Sequence, residues 1–334
     1  MKTVKKAALV LLFCALAACT PLQTKRLKQN PPEPARVLLD VPFVPQDPYY
    51  CGPATVSMLL QYQGLQAEQQ VIASSIYLPG RKGTLQSELK AYIRQEGLIA
   101  YQIPSTLNAL LKEVELGNPV LVLQNLGFTW WPRWHYAVVV GYDIPAGQLI
   151  LHTGDRQQYR LSLGTFERTW RRSNNWGITA LNPNDKTLQV SGNADSLLEA
   201  LFELDSTQQR PIPSSAYYSV AKHWPENSLG WFSLANAIYQ EDSSAAGRLS
   251  ALKGFLRAAE LEPDPGYYNN LAYTAAELGC HNLYQNSLAC GLALAPQNRH
   301  LSDTKKHPPQ PISTDSPIDC PVLHCKGATL PKSP

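Results

Sequence analysis

Apolar positions along the chain change period several times, and the changes mark its elements. Thr84-Leu-Gln-Ser-Glu-Leu-Lys-Ala-Tyr-Ile-Arg94 sets Leu85, Leu89, Tyr92 and Ile93 on one face at helical spacing, with Thr84 as the cap. Upstream, Cys51 to Leu60 and Ala67 to Ile76 read as helices; the first starts at a Gly52-Pro53 turn and the second is closed by Leu78-Pro-Gly80. Downstream, Val120-Leu-Val-Leu123, Tyr136 to Gly141 and Leu149 to Leu151 are short unbroken apolar runs, the mark of buried strands. Leu98 to Gln102, Tyr159 to Leu163 and Ile178 to Leu181 add three more strands. Helices are expected over 106–116, capped by Ser105 and stopped by Gly117-Asn-Pro, and over 165–170. Helices first and strands afterwards predict an α+β domain over 37–182.

After Asn182 the strands stop. Trp231, Leu234, Ala235 and Ile238 are followed by Ala251, Phe255, Ala258 and Pro263, and then Tyr268, Leu271, Ala272 and Ala275 lead to Leu288, Gly291 and Pro296. A weaker unit upstream spans Leu197 to Leu204 and Ser215 to Trp224, with Pro225 after it. These offsets resemble the ~34-residue tetratricopeptide pattern of paired helices. The resemblance implies an all-α tetratricopeptide-repeat solenoid over 190–298, whose groove would take a protein partner or brace the first domain. Residues 299–334 are proline-rich and poor in apolar side chains, so a disordered tail is expected there.

Composition adds an N-terminal signal. Lys2, Lys5 and Lys6 precede an apolar run from Ala7 to Ala18, which is too short for a membrane span and ends in Leu16-Ala-Ala-Cys19. That ending resembles the bacterial lipoprotein signal. The resemblance implies removal of residues 1–18, lipidation of Cys19, and a chain held by its acyl chains in the cell envelope. Thr20 in place of aspartate points to the outer membrane, facing the periplasm. Residues 19–36 then read as a solvated tether. The chain has 29 Lys and Arg against 26 Asp and Glu. The three signal lysines account for the whole excess, so the mature sequence shows no basic stripe and no nucleic-acid partner is expected.

The candidate chemistry centres on Val41-Pro-Phe-Val-Pro-Gln46-Asp-Pro-Tyr-Tyr-Cys51-Gly-Pro-Ala54, which delivers a cysteine to a helix start. There the helix dipole and the unpaired amides favour a thiolate. Gln46 could aim its side-chain amide at the same spot, and His135 opens the apolar strand in Trp130-Trp-Pro-Arg-Trp-His-Tyr-Ala-Val-Val-Val-Gly141. Gln46, Cys51-Gly-Pro-Ala and His135-Tyr-Ala-Val-Val-Val-Gly-Tyr-Asp143 resemble the papain-like cysteine peptidases typified by the double-glycine leader (bacteriocin-processing) peptidases. By that resemblance Cys51 is the nucleophile, His135 the base and Gln46 the oxyanion-hole residue, and the substrate is a peptide or protein.

A third member, Asp or Asn in the family, is expected at the end of the next strand. His152 or Thr153 occupies that place, and Asp155 lies two residues later. Asp155 is the only carboxylate near it and is the preferred orienter of His135, with Thr153 the alternative. A charged partner there would favour a thiolate–imidazolium pair. Trp130, Trp131 and Trp134 either cover the core or line the cleft. Taken singly, a helix-start cysteine and a strand-start histidine are more often packing than chemistry. The competing reading is therefore an inactive papain-like binding module acting as an envelope scaffold.

No cofactor and no metal are expected; Cys320, His324 and Cys325 offer three ligands and no fourth. Cys280 and Cys290 lie ten residues apart, beyond disulfide reach along a helix. Pairing of either with the tail, or of Cys320 with Cys325, stays open.

Overall fold

The computed structural model describes residues 21–208, 211–313 and 318–325. The signal stretch and Cys19 lie outside them. The chain forms two compact units, one of residues up to 182 together with 190–192, the other of 183–189 and the residues from 193 onward.

The first unit is built on one antiparallel sheet. Its strands are β1 (Arg36–Leu38), β2 (Ile99–Gln102), β3 (Val120–Asn125), β4 (Trp134–Asp143), β5 (Gln148–Thr153), β6 (Arg156–Ser162) and β7 (Gly177–Leu181). The order is β2-β7-β3-β4-β5-β6, with β1 paired to the far end of β4. Alternation along β4 decides the layers: Tyr136, Val138 and Val140 join one core with Val56, Met58, Leu59 and Leu60 of α2 (Cys51–Tyr62). Ile72 and Ile76 of α3 (Gln69–Ile76) and Leu89 and Ile93 of α4 (Gln86–Gln95) close that core. Helices α5 (Leu107–Glu115) and α6 (Leu163–Arg171) also pack on strands, and α6 buries Phe166 and Trp170. Gly141 is required where β1 crosses β4, because a Cβ there would sit 2.5 Å from the Val37 carbonyl oxygen.

The described part of the expected tether, residues 21–36, departs from that expectation. Leu22–Gln29 forms α1, which buries Thr24 and Leu27. Its first amides are capped from across the chain: Gln23 N–H donates to Glu167 Oε1 at 3.1 Å, and Thr24 donates from both N–H and Oγ1 to Oε2 at 2.7 Å. In return Gln23 Oε1 accepts from Leu107 N–H, the first amide of α5, at 2.6 Å. A polar eight-residue segment carries no apolar period to read, and what fixes it are bonds to residues 84 to 144 positions away. Two caps also differ from expectation. Thr106 rather than Ser105 caps α5, and Thr84 makes no cap bond to α4.

Among the described residues of the second unit, the regular elements are all helices. Helices α7 (Ala194–Asp205) and α8 (Ser214–His223) form one pair, α9 (Ser228–Glu241) and α10 (Ala245–Leu261) the next, and α11 (Pro265–Glu277) and α12 (His281–Leu294) the third. Each helix packs on its successor from α8 to α12. Equivalent positions meet across successive pairs: Asn270 Nδ2 donates to Asn236 Oδ1 at 2.9 Å and Ser228 Oγ to Glu262 Oε2 at 2.7 Å, each across 34 residues.

The expected disordered tail is overturned for its described part. Arg299–Lys306 is a further helix, α13, with Leu301 buried, and disulfides Cys280–Cys320 and Cys290–Cys325 bring Leu323 into the same core. Composition failed there because the cross-links, rather than apolar content, hold the segment. The same bridges take Cys320 and Cys325 out of any metal site.

Candidate active site

Cys51 is the first residue of α2 and the one free cysteine among the described residues. Its helix is buried from Gly52 through Leu60, so the thiol sits on a rigid mount. Gly52 is tight against its neighbours: a Cβ there would meet Thr84 Cβ at 2.8 Å and Leu89 Cδ2 at 3.3 Å. Main-chain groups of Tyr136, Gly52 and Cys51 itself hydrogen-bond the sulfur. Cys51 lines a cleft of about 820 Å³ with Thr84, Leu123, Trp134, Tyr136 and Trp176.

Gln46 reaches the same place. Its N–H donates to Gly154 O at 3.1 Å, and its Nε2 donates to Tyr136 O at 3.3 Å. Asp47, bonded to both ends of the Gln69 amide, ties this approach loop to α3. Tyr136 is therefore the common neighbour: its main chain meets the Cys51 thiol and the Gln46 amide, and the residue before it is His135.

His135 is half-buried at the start of β4, and its Nε2 lies 2.7 Å from Thr153 Oγ1 at the end of β5. That engages one ring nitrogen and leaves Nδ1 as the nitrogen available for proton transfer. Asp155 is elsewhere. β5 and β6 join through the two-residue loop Gly154-Asp155, with Thr153 paired to Arg156, so Asp155 stands at a hairpin tip. Its side chain is 94% exposed and its carboxylate is 4.0 Å from Arg156. The preferred orienter is thus not beside His135, and the alternative is. His152 serves the backbone instead. Its Nε2 bonds the Val41 carbonyl at 3.0 Å and its Nδ1 accepts from Gln158 N–H at 3.1 Å, while Phe43 packs edge-on against its ring. Both nitrogens are used, which makes it a buried strut for the approach loop.

The electrostatics run against a preformed ion pair. Burial pushes the Cys51 thiol up despite three main-chain hydrogen bonds that pull it down. Burial pushes the His135 imidazole down, and the Arg156 cation adds to that shift. Both directions oppose the resting thiolate that the helix dipole favours. Arg156, stacked 4.1 Å over Tyr159, was invisible to sequence reasoning; its signal is the hairpin register that sets it opposite Thr153.

The tryptophans divide. Trp134 lines the cleft, whereas Trp130 and Trp131 do not and lie 78% and 68% exposed.

Residues 38–178 match the family model described as Peptidase_C39 like family. Among solved structures, the chain is similar to a chain from Bacillus anthracis described as a C39-like peptidase, at 20% identity and TM-score 0.35 over 44% of this chain and 98% of that one. It is also similar to the peptidase domain of Streptococcus ComA, a bi-functional ABC transporter involved in a quorum-sensing pathway, at 20% identity and TM-score 0.34 with the same coverage. No curated protein matches the chain. The stretch that matches the Peptidase_C39 like family is the one that carries Gln46, Cys51, His135 and Thr153, and it ends before the helical unit begins.

Proposed function

We propose that the first unit is a cysteine peptidase that hydrolyses peptide bonds. The observation that carries this reading is the meeting of the Cys51 thiol, the Gln46 amide and the main chain of Tyr136, next to a His135 already held by Thr153. In the reaction, Cys51 Sγ attacks the scissile carbonyl carbon while its proton passes to His135 Nδ1. Gln46 Nε2–H and the Cys51 N–H hold the oxyanion. The tetrahedral adduct collapses, His135 returns the proton to the departing amine, and a thioester remains. Water, deprotonated by His135, then releases the acid and the free thiol. Treating the purified chain with a peptidyl acyloxymethyl ketone and mapping the adduct tests this. A single adduct on Cys51, lost in Cys51→Ala and strongly slowed in His135→Ala, is expected; labelling unchanged in Cys51→Ala refutes it.

A second reading has its own observation. The third position holds a neutral hydroxyl and the thiol is shifted up, which suits a papain-like module that binds peptides without turnover. Cys51→Ser retaining the full cellular phenotype, with loss of the helical unit abolishing it, would favour that scaffold.

Around either reading we place the protein in the bacterial cell envelope, acylated at Cys19 and facing the periplasm. The helical unit, read as tetratricopeptide repeats, would dock a protein partner or the substrate. Mass analysis of the mature N-terminus tests the acylation.

A further inference from the structure

Three segments far apart in sequence adjoin on the first unit. At one end, Pro21, where the described chain begins, lies against α6: a Cβ on Gly164 would be 3.4 Å from Pro21 Cδ and 3.7 Å from Arg168 Nη1. Along α6 the exposed residues are Arg168 and Arg171, with Arg172 following, while Phe166, Glu167 and Trp170 point inward. At the other end, Arg172 Nη1 donates to the carbonyls of Asn125 at 3.2 Å and Gly127 at 2.5 Å, the base of the loop between β3 and β4. Asn125 Oδ1 clamps that loop by accepting from Gly127 N–H and Arg133 N–H, both at 2.9 Å. At its tip Phe128 and Trp130 stack at 5.4 Å with Trp131 edge-on to Trp130, and Phe128 is 63% exposed.

The charge on this strip is one-sided. Segments 21–29, 126–134 and 163–172 contain Lys25, Arg26, Lys28, Arg133, Arg168, Arg171 and Arg172, all exposed, and a single acid, Glu167, which is buried as the cap of α1. A basic stripe that the linear sequence conceals is thus assembled by the fold, and the remainder of the chain has fewer cations than acids. Exposed, preorganised Trp and Phe beside arginines have the composition of a bilayer interface anchor: amphipathic rings seat at headgroup depth while the cations meet anionic phosphates. The tip rings lie outside the cleft lining, although Trp134 and Arg172 at the base of the loop belong to it. The chain also enters from the right side. Pro21 is two residues from Cys19, a span of about 7 Å when extended.

We infer that this strip, from α1 along α6 to the Phe128–Trp131 loop, is a docking face for an anionic phospholipid surface, which holds the cleft at a set orientation to the membrane. Only the chain-entry argument rests on acylation at Cys19, and the test omits that residue.

The chain from Thr20 onward, which keeps every described residue, is partitioned onto phosphatidylcholine vesicles with and without phosphatidylglycerol, at low and high salt. Binding confined to phosphatidylglycerol vesicles, weakened by salt and accompanied by a blue shift of tryptophan emission, is expected. Each arginine neutralised in Arg168→Gln/Arg171→Gln should weaken partitioning roughly fivefold, and Trp130→Ala/Trp131→Ala should remove the blue shift. Unchanged circular dichroism and Cys51 labelling in these variants establish that they fold. Equal partitioning on both vesicles, or wild-type partitioning of both variants, overturns the proposal. So does a Trp130→Ala/Trp131→Ala chain that binds vesicles normally but labels more slowly with the peptidyl probe, because the occupant is then a peptide.

Discussion

Removing one hydroxyl tests the assignment of the third position directly. Thr153→Val keeps the shape and β-branching of the side chain and deletes the partner 2.7 Å from His135 Nε2. The imidazole is half-buried and no carboxylate is placed to substitute, because Asp155 stands at the hairpin tip in solvent. Leaving a buried polar group without its partner costs about 1–3 kcal/mol. If that cost appears in the step that needs an oriented Nδ1, the rate falls roughly 5- to 150-fold.

The assay is the second-order rate of Cys51 labelling by the peptidyl ketone at neutral pH. Thr153→Ser, which restores the hydroxyl, should recover most of the rate, and Asp155→Asn should stay within about twofold of wild type, as expected for an exposed ion pair. A Thr153→Val rate equal to wild type beside a slowed Asp155→Asn would refute the geometry and return the role to the carboxylate.

Other consequences follow from the same contacts. Because burial raises the thiol and lowers the imidazole, alkylation of Cys51 by neutral iodoacetamide should be slow below neutral pH and climb past the range of a free thiol; a fast acidic plateau would reveal an ion pair instead. Arg156→Gln removes the cation that helps hold His135 down, so its pKa should rise and the acidic limb of the peptidyl-probe labelling profile should move to higher pH. Glu167→Ala leaves the Gln23 and Thr24 amides and the Thr24 hydroxyl uncapped, at a cost of about 1–3 kcal/mol, and limited trypsin should then cut at Lys25, Arg26 and Lys28 well before the sheet is attacked. Cys280→Ser/Cys320→Ser leaves the Cys290–Cys325 bridge in place and so opens a loop of about 15 residues, for which chain entropy predicts a loss of about 3 kcal/mol in the helical unit; a melting temperature equal to wild type would show that the bridge does not restrain it.

The central strands of the sheet were legible because they are apolar on both faces. Runs such as Val120 to Leu123 and Tyr136 to Gly141 have one reading at that length, and the structure extends each by a few residues where polar side chains such as Gln124 and Asn125 continue the ladder. Cys51 and His135 stood out as candidates for another reason: their neighbours, Gly-Pro after one and a β-branched run after the other, are backbone devices with local signatures. The orienter was not. Whether residue 153 or 155 faces His135 depends on where β5 ends and how many residues the hairpin uses, and Gly154-Asp155 reads equally well as a turn or as a strand end. Helix α1 and the tail escaped because non-local bonds hold them, and the upward push on the thiol escaped because a dipole is visible in sequence whereas the depth of burial is not.

The groups of the proposed site share one register. Gln46 is anchored through its N–H to Gly154 O, Thr153 precedes that carbonyl, and Thr153 holds His135, while Tyr136 supplies the main chain that meets both the thiol and Gln46 Nε2. The β4–β5 pairing thus fixes at once Gln46, His135 and Thr153, the proposed oxyanion donor, base and orienter. The irregularity in that pairing between Val139 and Gly141 lies on the far side of Val138↔His152, away from the site, where it lets β1 close over Gly141 without disturbing the pairs that matter. A one-residue slip would send Thr153 to the opposite face and carry Gly154 O away from Gln46. His152, buried between Val41 and Gln158, guards against that slip: its two bonds are satisfied in one register only, and they join β5 both to the approach loop that carries Gln46 and to its own hairpin partner. The histidine that the proposed reaction leaves unused is therefore what holds the proposed base in place.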